Sequence, residues 1–230
     1  MKPYYETELG KLYHADCLQI MPHLEPVDLV LTDPPYGFGQ NIVNRGDCPA
    51  YKDAYAWNDQ PPPDSYFEYL IDNFDNLIVF GGNYFPALWK KPCRGFIFWD
   101  KIQCSKNHAD GELVWTSFDR NAKQYKFCFS GNRVGWDGQI SGVGKPSNRV
   151  HPTQKPTGLI VEILKDYSKP TYLTLDPMIG SGTTAIACER LNRRWIGIEI
   201  EEKYCEIAAK RIEKERSQLK LFTGEVYVTD

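Results

Sequence analysis

Tyr172-Leu173-Thr174-Leu175-Asp176-Pro177-Met178-Ile179-Gly180-Ser181-Gly182-Thr183-Thr184 decides the fold of this chain. Its first four residues read as a short buried strand. A glycine-containing turn follows, and then the helical pattern Ala185-Ile186-Ala187-Cys188-Glu189-Arg190-Leu191. Trp195-Ile196-Gly197-Ile198-Glu199 is a second strand that ends in an acid. Glycines in such a turn let a ligand approach the backbone and let the helix pack on the strand. The helix N-terminus favours negative groups. An acid closing the second strand can hold ribose hydroxyls. Glu199 follows Gly180 by 19 positions, close to the roughly 20 expected of a nucleoside-binding βαβ unit. The turn is not a P-loop, because Thr183 stands where that motif needs its lysine.

Far upstream, the apolar run Val27-Asp28-Leu29-Val30-Leu31-Thr32 leads into Asp33-Pro34-Pro35-Tyr36. Two prolines fix φ and delete two backbone donors, and they bias the preceding residue to an extended conformation. The strand end therefore presents a carboxylate, free carbonyls and an aromatic face. That set suits an amino group on a planar base. The acceptors can take its two N–H hydrogens and the ring can stack on the base. An exocyclic amino nitrogen is a poor nucleophile because its lone pair is delocalised. Acceptors on both hydrogens would localise the lone pair and aim it, which is electrostatic preorganisation combined with proximity. Taken alone, the motif reads equally well as a proline-rich turn closing a strand.

Further strands are expected over 11–16, 77–80, 95–99, 112–118 and 124–129, with helices starting at Cys17 and Asp64 and spanning 156–166 and 201–215. Strands alternating with helices predict a mainly parallel sheet with helices on both faces. Residues 37–63 form a long stretch of low periodicity, of the kind that is functional or disordered. At 230 residues, 42% of them hydrophobic, the chain suits a single α/β domain with a substantial core. No apolar run is long enough for a membrane span. The N-terminal Met1–Glu6 lacks a signal-peptide core. Seven cysteines without a Cys-x-x-Cys pair argue against a disulfide framework or a zinc site, and no metal is expected; a reducing cytoplasm is the expected setting. Net charge is −3, but eight basic residues stand against four acidic ones between 101 and 150, so a segment at +4 sits in a remainder at −7. Such a segment can track a phosphate backbone, although charge alone fits an ordinary solvated surface as well.

Together, Asp33–Tyr36, His151-Pro152-Thr153-Gln154-Lys155-Pro156 and the glycine turn, in that order, resemble an amino-group (N6-adenine or N4-cytosine) DNA methyltransferase of the permuted β type. The resemblance runs from about Lys11 to Arg211. It implies a Rossmann-like, circularly permuted fold with S-adenosylmethionine as cofactor, a target-recognition segment over 101–150, and duplex DNA as partner. Asp33 and the carbonyl of Pro34 would grip the target amino group, Pro35 would stiffen the loop, and Tyr36 would stack on a base flipped out of the duplex. Gly180 and Gly182 would make room for the cofactor, Thr183 would reach its methionine part, and Glu199 its ribose. Asp16 and Cys17 would meet its adenine, and Asp16 reads equally as a helix N-cap. Thr153, Gln154 and Lys155 would approach the methionine carboxylate or simply start a helix. Asp176 would shape the turn or touch the cofactor. Gly81-Gly82-Asn83-Tyr84 is placed beside the target base, Phe38 reads as a loop hydrophobe, and His151 has no general-base task. By the same resemblance, Asp at position 33 favours adenine N6. The alternatives are N4-cytosine, RNA, a protein amide, a non-catalytic DNA- or cofactor-binding module, and a nucleotide-binding dehydrogenase that would leave Asp33–Tyr36 unexplained. A homodimer and a cognate restriction endonuclease stay open as partners.

Overall fold

The computed structural model describes residues 2–37, 60–90, 94–102, 109–130, 133–134 and 154–223. In chain order the first elements are β1 (Tyr5–Glu6), β2 (Gly10–His14), α1 (Cys17–Ile20), β3 (Leu29–Thr32), α2 (Asp64–Asn73) and β4 (Leu77–Phe80). Next come β5 (Phe96–Asp100), β6 (Gly111–Thr116), β7 (Lys123–Lys126), β8 (Phe129–Ser130) and β9 (Arg133–Val134). The last are α3 (Thr157–Tyr167), β10 (Leu173–Asp176), α4 (Thr183–Arg190), β11 (Arg194–Glu199) and α5 (Glu202–Thr223). Helices α2 and α3 begin directly after Pro63 and Pro156, whose φ of −65° and −62° leads into the helix. Asp64 therefore takes the first helical position of α2 and does not cap it.

The main sheet has the order β1-β2-β11-β10-β3-β4-β6-β5-β7. β2, β11, β10, β3 and β4 run parallel to one another. Counted cyclically from β10, these strands stand third, second, first, fourth and fifth, the doubly wound arrangement. The chain enters at the third place, so the fold is circularly permuted. Beyond β4 the sheet is mixed: β6 is antiparallel to both β4 and β5, and β7 pairs parallel with β5.

β3, β4 and β10 are buried along their whole length, as parallel strands covered on both faces are. Leu29, Leu31, Ile78 and Phe80 join one core with the apolar stripe of α3 (Leu159, Ile160, Ile163, Leu164 and Tyr167) and with α4 and α5. The alternate residues Val30, Leu77 and Val79 join the other core with Tyr66, Phe67 and Leu70 of α2. Helices thus cover both faces, as the sequence predicts. Among the described residues no helix is long and apolar enough to cross a membrane.

Candidate active site

Parallel strands put their C-terminal ends on one edge. β10 and β3 are neighbours, and the winding reverses between them, which opens a cleft at the edge where both end. Asp176 closes β10 and Asp33 directly follows β3. A cavity of about 260 Å³ lies there, with Asp16, Cys17, Asp33, Pro35, Lys155, Asp176, Gly180, Thr183 and Glu199 in its walls. Residues dispersed over most of the chain are thereby brought together. Thr153, Phe38 and His151 lie outside the described residues.

One half of the cavity is built from the βαβ unit. The Gly180 N–H donates to Glu199 Oε2 at 2.9 Å, and the Glu201 N–H donates to Oε1 at 2.9 Å. The 19-residue spacing is therefore a direct contact between turn and acid. Burial raises the Glu199 pKa against the pull of these amides. Gly180 has φ of 53°, in the left-handed region that glycine tolerates. Gly182 corrects the expectation that it makes room for a cofactor. Its φ is 83°, a Cβ there would stand 3.0 Å from Ala208 Cβ, and its missing side chain lets α5 approach. Asp176 accepts from the Thr184 hydroxyl at 2.6 Å and from the Met178 N–H at 3.2 Å, so it shapes the turn. Burial pushes its pKa to about 7. Asp16 is the N-cap of α1, accepting from the Leu18 N–H at 2.9 Å, and it also lines the cavity. Burial, with Asp16 beside it, pushes the Cys17 thiol up to about 12, so that side chain is neutral.

The cavity suits a cationic nucleoside. Among the described residues, Asp16, Asp33, Asp176, Glu199 and Glu201 line it against a single ammonium, Lys155. Gln154 lines it too, and its Oε1 is buried without a hydrogen-bond partner among the described residues, an acceptor left for a ligand N–H.

The Asp33 half holds a network that sequence reading missed. Lys155 Nζ donates to Asp33 Oδ2 at 2.5 Å, and the Tyr36 hydroxyl donates to Oδ1 at 2.7 Å. Lys155 thus holds Asp33 from within the cavity wall, a contact the sequence reading did not foresee. Glu112, at the start of β6, accepts from Lys101 at 2.6 Å. Burial raises the Asp33 pKa; Lys155 lowers it and Glu112 raises it. Burial also works against the Glu112 carboxylate, yet Lys155 and Lys101 outweigh it and its pKa falls below the ordinary value. No sequence signal marks Glu112, because nothing local reveals that β6 runs antiparallel and so starts at the edge where the cavity lies. The Tyr36 ring packs against Tyr84 at 5.1 Å and 32°. Gly81, at φ of 66°, leaves the room: a Cβ there would meet Tyr36 Cε1 at 2.3 Å. The Gly81–Tyr84 turn therefore packs beside Tyr36.

The basic excess over 101–150 is only partly free surface. Lys101 is held by Glu112. Lys123 pairs with Asp166 at 2.6 Å, and the Arg120 guanidinium donates to the Asp166 carbonyl while stacking on Tyr167. These last contacts tie β7 to the C-terminal end of α3, at the edge away from the cavity. Lys126, opposite Asp100 in register, is exposed on the cavity edge. Lys106, Lys145 and Arg149 lie outside the described residues.

A DNA methylase family profile matches residues 99–210. Two curated relatives are each 27% identical over 93% of this chain and 93% of their own length. They are the Type II methyltransferase M2.LlaDCHI of Lactococcus lactis subsp. cremoris and the Type II methyltransferase M2.DpnII of Streptococcus pneumoniae. The solved complex of M1.HpyAVI with SAM matches with a TM-score of 0.56 at 24% identity, covering 88% of this chain and all of that one. The cytosine-N4-specific PvuII DNA methyltransferase matches with a TM-score of 0.60 at 17% identity, over 97% and 96% of the two chains. These two structures share the fold.

Proposed function

We propose that the chain is an amino-group DNA methyltransferase that methylates the exocyclic N6 of an adenine flipped out of duplex DNA at a specific sequence; the family-profile match and the two curated relatives support this reading. The observation that carries this reading is the position of Asp33. Its carboxylate stands at the sheet's switch point, in the wall of the cavity whose other end is the Gly180–Glu199 turn. S-adenosylmethionine is the methyl donor of this family, and when bound it supplies an electrophilic methyl group. Glu199 and Asp16 are assigned to its nucleoside end, with Gln154 and Thr183 toward its methionine end. Asp33 and the Pro34 carbonyl accept the two N–H hydrogens of the target, and the Tyr36 ring, backed by Tyr84, stacks on the base. Acceptors placed where positive charge develops lower the barrier, and holding the nitrogen in line with the methyl adds proximity. The mechanism needs no nucleophilic side chain of the protein.

The choice of adenine rests on Asp at position 33, which the family resemblance pairs with adenine. Residues 101–150 are assigned to target recognition, with help from a second copy as part of the proposal. The Type II names of both curated relatives extend it to a cognate restriction endonuclease. Nucleoside mass spectrometry tests the assignment, after unmethylated duplex DNA of varied sequence is incubated with the protein and methyl-labelled cofactor. Label in N6-methyladenine is the expected result. Label in N4-methylcytosine would reverse the choice of base. Label in neither would move the reading to RNA, a protein amide or a non-catalytic module.

A further inference from the structure

Asp33 does not stand free for a substrate. Each of its oxygens already accepts one donor, Lys155 on Oδ2 and the Tyr36 hydroxyl on Oδ1. Both donors also lie close to one other atom. Glu112 Oε2 is 3.7 Å from Lys155 Nζ and 3.4 Å from the Tyr36 hydroxyl. The second oxygen of Glu112 is occupied by Lys101 at 2.6 Å, which fixes the carboxylate. The four charged groups arrive from four places: the loop after β3, the start of β6, the end of β5 and the approach to α3. The side chains of Lys155, Lys101 and Glu112 are only 8%, 9% and 17% exposed. Burying such a cluster contributes little to stability compared with apolar packing, so its presence at the catalytic loop calls for a chemical reason.

A docking amino group brings two N–H donors, and the one assigned to Asp33 needs a lone pair there. An ionised carboxylate offers about four acceptor sites on two oxygens, and here one on each oxygen is already used. We propose that Glu112 is a positioning residue for methyl transfer: its Oε2 takes over Lys155 and the Tyr36 hydroxyl as the target amino group claims Asp33. The exchange moves no net charge, because two carboxylates and two ammoniums are present before and after. Lys155 stays near enough to go on favouring the charged form of Asp33. The inference rests on the amino-methyltransferase reading of the same site. The groups that set the charge state of Asp33 are Lys155, Glu112 and Tyr36 on its own side of the cavity and Asp176 from β10. Lys101 acts through Glu112.

The test compares the parent chain with Glu112→Gln, Glu112→Asp and Lys155→Met in two ways. Single-turnover transfer from labelled S-adenosylmethionine to duplex DNA is measured across pH, with cofactor affinity alongside. Independently, the Asp33 carboxyl is titrated by ¹³C NMR and assigned by its loss in Asp33→Asn. Glu112→Gln keeps the shape of the side chain and should slow transfer about tenfold, the scale of one contact within a coupled network, with cofactor affinity unchanged. Glu112→Asp should recover part of the rate. Asp33 should titrate at lower pH in Glu112→Gln, which removes a like charge, and at higher pH in Lys155→Met, which removes an opposite one. A Glu112→Gln chain that transfers at the parental rate overturns the inference, as does an Asp33 titration that is the same in all the chains. A parent that methylates no DNA defeats the functional reading instead, and the titration still decides whether Glu112 and Lys155 control Asp33.

Discussion

Asp176 carries the clearest consequence at the scale of a single residue. Burial raises its pKa from 3.8 to about 7. Between those values the folded chain holds a proton that the unfolded chain has released. Stability therefore falls as pH rises through this window and levels off above about 7. The Thr184 hydroxyl and the Met178 N–H favour ionisation but do not outweigh the loss of water. Asp176→Asn removes the titration and keeps the size. Urea unfolding of the two chains should show the parent losing stability relative to the variant across the window, by a few kcal/mol at most given ~1.4 kcal/mol per pKa unit. Parallel pH curves would show that Asp176 ionises at its ordinary value. The residue was legible in sequence as part of the turn. Its protonation was not, because that depends on burial beside Asp33 and Glu199 from two other strands.

At the scale of elements, the glycine turn is held from behind by α5. Arg211 donates to the Ser181 carbonyl, to Ser181 Oγ at 2.7 Å and to Thr183 Oγ1 at 3.5 Å. Burial draws its pKa down to about 10, with Glu215 opposing. Arg211→Met keeps the apolar stem and removes the donors. Calorimetric titration should then show S-adenosylmethionine binding weakened about tenfold, the scale of one charge-assisted hydrogen bond, with the turn loosened and the fold retained. Undiminished affinity would mean that α4 and β11 define the turn without α5. The elements show where reading a sequence succeeds. The βαβ unit was legible because strand, glycine turn, helix and acid lie within one short stretch whose parts touch, Gly180 to Glu199. Asp33 was legible because a strand ends at it. Lys155 against Asp33 was not, since that contact spans 122 positions. Nor was Glu112, because the direction of β6 is set by its partners and not by its own residues. Gly182 was misassigned because a glycine that admits a helix and a glycine that admits a ligand look the same in sequence.

At the scale of the whole molecule, the permuted order works because cyclic strand order, and not chain order, decides which strand ends meet. Asp33 and Glu199, 166 positions apart in sequence, come together at one edge of the sheet, in the walls of one cavity. That edge also sorts the basic residues. Lys126 lies on the cavity edge, whereas Lys123 and Arg120 are bound to Asp166 at the far one. Lys126→Ala should weaken duplex binding and lower the salt slope by about one. Lys123→Ala should leave DNA binding unchanged and cost at most about 1 kcal/mol of stability, since its ion pair is partly exposed. A larger DNA effect for Lys123 in salt-dependent binding assays would place the phosphate track on the opposite edge. The central claim is that Asp33, at the switch point beside the cofactor turn, acts on the target amino group. Single-turnover transfer of labelled methyl to duplex DNA by Asp33→Ala, with cofactor affinity measured on the same preparation, tests it most directly. The expected result is a rate lower by about 10²–10³, the scale of removing one preorganised acceptor, at unchanged affinity for S-adenosylmethionine. Transfer at close to the parental rate would contradict the account.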